Sequence, residues 1–525
     1  MSNHELLGTS IIAFSRSQKG GKVFHASNPA TGKDLEQPFH SATHEDLERA
    51  ASMAERAFLP YSALPAAARA AFLQAIAAEI EATGDPLVAR VMAESGLPEA
   101  RVRSERARTC FQLRFFAGIL EEGSWIDARI DTADPSRKPS PNPEVRSMMR
   151  PLGPVAVFGA SNFPLAYSAA GGDTASALAA GSPVVAIAHY SHPGSAEIMG
   201  AAIQRAAQAL GMPDGVYSLL FAAKSEQQVG AELVRHPAIA AVGFTGSRAG
   251  GTALLRLAQA RPTPIPFYAE MSSVNPVIIL PHAMRARGEQ IVAGLHTSIT
   301  VNAGQFCTNP GLVLLGADQP ADDFASALAA RMSATPSTVM LNQTIKDAYA
   351  AGTSKRGKAA GVRQLAVGDG ESATALFEVD AAAFVADPSL QDEIFGPSSL
   401  LIRANSREQM LQAVDSLEGN LTATVHMEEA DLADAKILLQ RLEKKAGRIV
   451  FNGYPTGVEV AQAMVHGGPW PSTSDSRTTS VGGRAMLRFV RPVCYQDAPA
   501  EMLPVELRDG NPSGILRIVN GKYAR

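Results

Sequence analysis

A cysteine on a polar, glycine-flanked loop is the first group suited to chemistry. Cys307 lies in GQFCTNPGL (304–312), after a helical run and before Pro310 and Gly311, which stop any new helix. A thiolate needs donors and access, and such a loop offers both. The residue fits a buried structural thiol as well, a common fate of free cysteine. Glu270 closes the apolar run IPFYAE. Solvation alone does not put a carboxylate there, and desolvation should raise its pKa toward that of a general base. A capping or ion-paired glutamate is the competing explanation. Asn162, in GASNFPL (159–165), follows a strand at the point where a ligand crevice opens. Its amide can donate to an oxyanion, although Asn-x-Pro is also a turn signal.

Two more stretches suit ligand contacts. Gly243, Gly246, Ser247 and Gly250, in GFTGSRAGG, sit where a strand feeds a helix. Backbone N–H groups at such a start hold phosphate, but the spacing is not GxGxxG, and a plain tight turn fits equally. Glu393 and Phe395, in QDEIFGP (391–397), suit a ribose hydroxyl and a flat ring; an ordinary Gly-Pro turn with one solvated acid fits the same letters.

These groups must be held by a scaffold, and the chain repeats strand and helix in the right rhythm. Short apolar runs at 154–161, 182–190, 215–222 and 239–247 alternate with helical segments at 173–181, 195–213 and 226–235. This alternation marks a doubly wound parallel sheet. It restarts after a Pro-rich break (260–270), with strands at 275–280, 311–316, 400–404, 422–426 and 447–453 and helices at 288–301, 322–332 and 343–351. Short strands and turns fill the first 40 residues. Residues 44–122 read as helix broken at Gly84 and Gly96, with a long helix over 99–120 ending at Gly123. On it, Arg106, Thr109 and Gln112 share a face by their spacing. A Pro-rich linker or hairpin tip covers 134–144, and 483–499 reads as a lone strand that adds to another sheet edge.

Composition narrows the function. The chain has 525 residues, enough for two to four domains, and 46% of them are hydrophobic, so chain entropy is readily offset. Lys plus Arg (47) against Asp plus Glu (51) gives a net charge of −4, which argues against a nucleic-acid partner. Three cysteines (Cys110, Cys307, Cys494), with no CxxC pair, argue against a disulfide frame or a structural metal site. A reducing compartment, the cytoplasm, is expected, with no signal peptide and no membrane span.

Taken together, the Asn-Phe-Pro loop, the Thr-Gly-Ser turn, the Glu, the Cys about 37 residues on and the Glu-x-Phe-Gly-Pro loop resemble the aldehyde dehydrogenase superfamily in order and spacing. GGDTASALAAG, AEMSSVNP, FNGYPTGVEVAQAMVHGGPWPSTSDSRTTSVG and RPVCYQD are similar to the branch of α-ketoglutaric semialdehyde (2,5-dioxopentanoate) dehydrogenases and a related NADP-dependent fatty aldehyde dehydrogenase. The resemblance implies an α/β fold of two doubly wound parallel-sheet domains plus a small oligomerisation strand segment. The cofactor domain would take 1–127 and 150–266, the catalytic domain 267–470, and the oligomerisation segment 128–149 and 483–499. It implies Cys307 as nucleophile, Glu270 as general base and Asn162, with the Cys307 N–H, as oxyanion hole. Gly246, Ser247, Glu393, Phe395 and Lys224 would contact the cofactor, NADP or NAD. Arg106, Phe163 and Tyr167 would contact the substrate, with Arg106 taking the far carboxylate of a semialdehyde; if Arg106 faces solvent, a longer apolar aldehyde fits better. A homodimer or homotetramer is implied, with a small aldehyde as substrate and no resident metal. One departure stands out: Ile187 occupies the place where relatives carry a ribose-binding lysine. It favours a rival reading, a cofactor-independent cysteine esterase or acyl-transfer protein. A binding protein that has lost cofactor use is the other rival.

Overall fold

The computed structural model describes residues 5–525. The strands Val155–Phe158, Val184–Ala188, Tyr217–Phe221 and Ala241–Thr245 have no exposed residue, and most of each is buried. Burial on both faces is why they read as continuous apolar runs, and it requires helices on either side. Those helices are Gly172–Ala180, Pro193–Ala209, Gln227–Arg235 and Arg248–Gln259. The seven-stranded sheet runs from Phe267–Glu270 through Ala241–Thr245, Val155–Phe158, Val184–Ala188 and Tyr217–Phe221 to Ile11–Ile12 and Ser15–Arg16. Phe267–Glu270 is thus the last strand of the first sheet, so the division between the sheets falls after Glu270 and not at 267. The register sets Glu270 beside Thr245, at the mouth of the Thr-Gly-Ser turn.

The region 44–122 is four helices. Gly84 and Gly96 break it as expected, and a further break at Pro65 separates His44–Ser62 from Ala66–Ala82. Thr43 starts the first with a capping box completed by Asp46. The long helix, Glu99–Glu122, follows Pro98 and stops at Gly123, whose φ of 82° suits glycine.

The second sheet has the order Arg363–Val367, Ala375–Asp380, Ser398–Ala404, Leu312–Gly316, Val277–Ile279, Asn420–His426, Ala446–Phe451. All pairings are parallel except that of Arg363–Val367, an antiparallel and half-exposed edge strand. The sequence reading missed that strand and its neighbour Ala375–Asp380. The cysteine loop joins the helix Pro281–Thr300 to the central strand Leu312–Gly316. Three successive residues, Asn302, Ala303 and Gly304, have left-handed backbone (φ 51°, 54° and 64°). Two of them are not glycine, and such strain persists only where the surroundings over-determine it. Here a Cβ on Gly304 would lie 2.5 Å from the Gly396 carbonyl carbon, so the cysteine loop presses against the Glu393–Pro397 loop.

A five-stranded sheet stands apart, in the order Val490–Gln496, Val145–Pro151, Arg129–Asp131, Arg517–Val519, Lys522–Ala524. The strand read at 483–499 narrows to 490–496 and pairs within the chain, antiparallel to Val145–Pro151, while 483–489 is a 3-10 turn. The C-terminal hairpin on the far edge was not anticipated. Among the described residues no helix is long and apolar enough to cross a membrane.

Candidate active site

The loop that carries Cys307 is pinned from below. Asn275 donates its side-chain amide to the carbonyls of Cys307 (2.8 Å) and Asn309 (2.9 Å), and Asn309 donates to the Gly396 carbonyl at 3.0 Å. Cys307 itself is half-buried. Asn162 belongs to the same cluster: its Nδ2 donates to the Gln305 carbonyl at 3.1 Å, two residues before the cysteine. The Asn162 loop is in turn fixed to the long helix, because Glu105 accepts from the N–H groups of Leu165 and Ala166, both at 2.9 Å.

Glu270 is buried and fully engaged. Its Oε1 lies 2.8 Å from His466 Nε2, and Ser480 donates to its Oε2 at 2.7 Å. His466 Nε2 is also 3.5 Å from the Cys307 sulfur. The three ligand atoms of Glu270, Cys307 and His466 lie within 4.8 Å of one another. This corrects the expectation for Glu270. Burial does push its carboxyl up, but the charge of His466 and hydrogen bonds from His466, Ser480 and the Cys307 thiol outweigh it and hold the group below the usual range. The Cys307 thiol moves the other way: burial, then the facing Glu270 carboxylate, push it well above its ordinary value. The resting pair is therefore a thiol beside an ionised base, and the proton passes between them only when the sulfur attacks. His466 was missed. Its signal was a histidine in a His-Gly-Gly-Pro loop, but the cysteine it touches lies 159 residues away, so no local pattern links them.

Cys307 sits where two cavities meet. The first, of about 270 Å³, is lined by Asn162, Gly246, Ser247, Glu270, Glu393 and Phe395 as well as Cys307. Ser247 caps the helix Arg248–Gln259, its hydroxyl accepting from the Gly250 N–H, so that helix points its positive end at this space. Burial pushes Glu393 up to about 7 against the opposing hydrogen bonds of Ser272 and Ser273. The second cavity, of about 490 Å³, is lined by Arg101, Arg108, Phe111, Phe163, Tyr167 and Phe306.

Arg106 does not join them. It donates to the Gly84 carbonyl at 2.7 Å and faces away from the cavity. Thr109 and Gln112, grouped with it by spacing, are buried in the helix packing instead. Arg101 and Arg108 supply the cations. Arg101 is paired with Glu105 at 2.8 Å and lies over the Phe163 ring. Arg108 donates from Nη2 to Val458 O (2.9 Å) and Tyr167 Oη (3.3 Å), while its buried Nη1 has no hydrogen-bond partner among the described residues. Lys224 reaches Thr344 Oγ1 at 2.6 Å and lines a groove next to the 270 Å³ cavity, not the cavity itself; Thr344 lines both. Ile187 packs with Phe158 and Phe244 against the core and offers no polar atom.

Residues 14–489 match the Aldehyde dehydrogenase family. The chain is 49% identical over 524 residues to alpha-ketoglutaric semialdehyde dehydrogenase 2 of Azospirillum brasilense, with 99% of each chain covered. It is 47% identical over 490 residues to alpha-ketoglutaric semialdehyde dehydrogenase of Acinetobacter baylyi, with 92% of each covered. The fold is shared with a betaine aldehyde dehydrogenase variant from Staphylococcus aureus solved in complex with NAD+. The TM-score is 0.79 and the identity 20%, over 94% of this chain and 98% of that one. It is shared too with aldehyde dehydrogenase 21 from Physcomitrella patens in complex with the product succinate (TM-score 0.79, 20% identity, 94% and 99% covered).

Proposed function

The chain belongs to the aldehyde dehydrogenase family, and we propose that it oxidises a short semialdehyde with a carboxylate at its far end, α-ketoglutaric semialdehyde, to 2-oxoglutarate with NAD+ or NADP+. The observation that carries this reading is the position of Cys307 on both cavities, one lined by Glu270 and Glu393 and the other by an arginine with a spare buried N–H. The two relatives at 47–49% identity support the substrate.

The chemistry follows from the residues. Glu270, kept ionised by His466 and Ser480, takes the thiol proton as the Cys307 sulfur adds to the aldehyde carbon. The resulting alkoxide accepts from the Cys307 N–H and from Asn162, whose amide leaves the Gln305 carbonyl to reach it. A bound nicotinamide supplies the hydride acceptor. Glu393, the Ser247 helix start and Phe395 fit the nicotinamide end of such a cofactor, and Ile187 fits its adenosine end poorly. The acyl group left on Cys307 is a thioester. Glu270, having released the thiol proton, deprotonates the water that hydrolyses it. The edge strand Val490–Gln496 suits assembly of a dimer or tetramer.

The substrate assignment turns on Arg108. A half-buried guanidinium with a buried Nη1 and no acid partner among the described residues is costly, and a substrate carboxylate would satisfy it. Arg108→Met should lower kcat/KM for α-ketoglutaric semialdehyde by about 10–100-fold, the loss of one charged hydrogen-bonded contact. Oxidation of pentanal should be nearly unchanged. Steady-state assays at 340 nm with both aldehydes and both cofactors check this. An equal loss on the two aldehydes would make Arg108 structural, and a parent enzyme preferring long apolar aldehydes would favour the aromatic wall of Phe111, Phe163 and Phe306 as the specificity element.

Glu393 gives a pH signature. A carboxylate accepts from ribose hydroxyls and a neutral acid does so weakly. With its pKa pushed up to about 7, affinity for the reduced cofactor should fall as pH drops from 8 to 6. Glu393→Gln should be about tenfold weaker at pH 8 and flat across that range, on the same contact arithmetic. Fluorescence titration reads both, and an unchanged pH slope in the variant would remove Glu393 from the ribose site.

A further inference from the structure

The cluster of Glu270, Cys307 and His466 has a second property that oxidation of an aldehyde does not need. Among the described residues it is the one place where three metal-ligating side chains converge, with one sulfur, one imidazole nitrogen and one carboxylate. Tetrahedral zinc with ligand bonds of about 2.0–2.3 Å requires donor atoms roughly 3.3–3.7 Å apart. The sulfur and His466 Nε2 are already at 3.5 Å. His466 Nε2 and Glu270 Oε1, at 2.8 Å, need to part by about half an ångström. The His466 side chain is completely buried, and its Nδ1 has no hydrogen-bond partner among the described residues. That nitrogen can carry the ring proton and leave Nε2, the atom between the sulfur and the carboxylate, free to ligate.

We propose that Glu270, Cys307 and His466 form a reversible zinc-binding site that blocks the nucleophile. Binding exchanges the thiol proton and the His466 Nε2 proton, both released to solvent, for a Zn–S and a Zn–N bond; no electron moves. Three protein ligands leave the fourth tetrahedral position facing the cavities that Cys307 lines, so the bound ion excludes aldehyde. The ligands dictate which ion. The donor set is one thiolate sulfur, one imidazole nitrogen and one carboxylate, a single hard oxygen ligand among three. Magnesium and calcium, which depend on several hard oxygen ligands, are therefore rejected. An ion that forms strong bonds to thiolate and imidazole is not.

The proposal is independent of which aldehyde is oxidised, because binding is read without turnover. Cobalt(II) is the spectroscopic probe and zinc the competitor, added to the full-length protein in metal-free buffer with neither aldehyde nor cofactor. The expected result is one cobalt per chain, a thiolate-to-metal charge-transfer band, and loss of that band on adding one equivalent of zinc. Zinc, but not magnesium at the same concentration, should protect Cys307 from iodoacetamide, with the modified cysteine identified by mass spectrometry of peptides. His466→Gln should weaken binding by at least the 10–100-fold that loss of even an outer-shell partner costs. Absence of the charge-transfer band in the parent protein, equal protection by magnesium, or undiminished affinity in a folded His466→Gln protein would each overturn the site. The parent spectrum and the protection assay keep the test decisive should the variant fail to fold.

Discussion

Cys307→Ala should leave a folded protein with no measurable aldehyde oxidation. Removing a nucleophile that acts in concert with its base costs on the order of 10⁵–10⁶-fold in turnover, because the covalent route disappears rather than slows. No other thiol replaces it. Cys110 is fully buried against the Ala77 carbonyl, and Cys494 is on the outer strand Val490–Gln496 of the five-stranded sheet. The fold should survive, because the loop is held by main-chain bonds to Asn275 and not by the sulfur. The expected set of results is therefore no signal at 340 nm with either cofactor, unchanged thermal unfolding, and retained binding of reduced cofactor by fluorescence. Ester hydrolysis should vanish as well, because the same sulfur would carry it. A variant that oxidises aldehyde within tenfold of the parent would end the assignment of Cys307.

The legible parts of this molecule were those whose signal is local. Parallel strands such as Val184–Ala188 are covered on both faces, so they spell unbroken apolar runs. Arg363–Val367 is an edge strand that buries only Ala366 fully, and its alternation was too weak to see. The C-terminal hairpin, Arg517–Ala524, is three residues per strand and depends on pairing with Arg129–Asp131, a partner almost 400 positions away.

The site divided in the same way. Cys307, Glu270 and Asn162 stood out because each breaks the pattern of its own segment. The substrate cation did not, because choosing it required the rotational phase of a helix. At about 100° per residue, Arg106 and Arg108 point to nearly opposite sides. Arg101, Glu105 and Arg108, spaced by four and three, form one stripe facing the cavity. The helix is turned that way by its buried residues Val102, Leu113 and Phe116, which alternate with too many charges for the phase to be plain in the letters. The sign of the Glu270 shift failed for a related reason. Desolvation is visible from an apolar strand, but the two donors that outweigh it, His466 and Ser480, arrive from a loop about 200 residues downstream.

Those same donors shape what Glu270→Gln should do. The amide is the same size as the carboxylate and can still meet Ser480 and His466, so the cavity should keep its form. With the carboxylate gone, His466 in its neutral form, its Nε2 3.5 Å from the sulfur, is the acceptor that remains for the thiol proton. Addition to the aldehyde and loss of hydride should therefore proceed once. Hydrolysis is different: it needs a base for water, and an amide is not one. The loss of general-base help costs about 10²–10⁴-fold, so the steady rate should fall by that factor while a burst of one reduced cofactor per site remains in stopped flow. Acyl-enzyme should accumulate, detectable by mass as one acyl group on the peptide containing Cys307. Hydroxylamine, which attacks thioesters without a base, should restore turnover in the variant far more than in the parent. A steady rate equal to the parent's would remove Glu270 from hydrolysis. Loss of the burst would instead move its essential role forward to the thiol, because the only group then missing before hydride loss is the carboxylate that faces the sulfur.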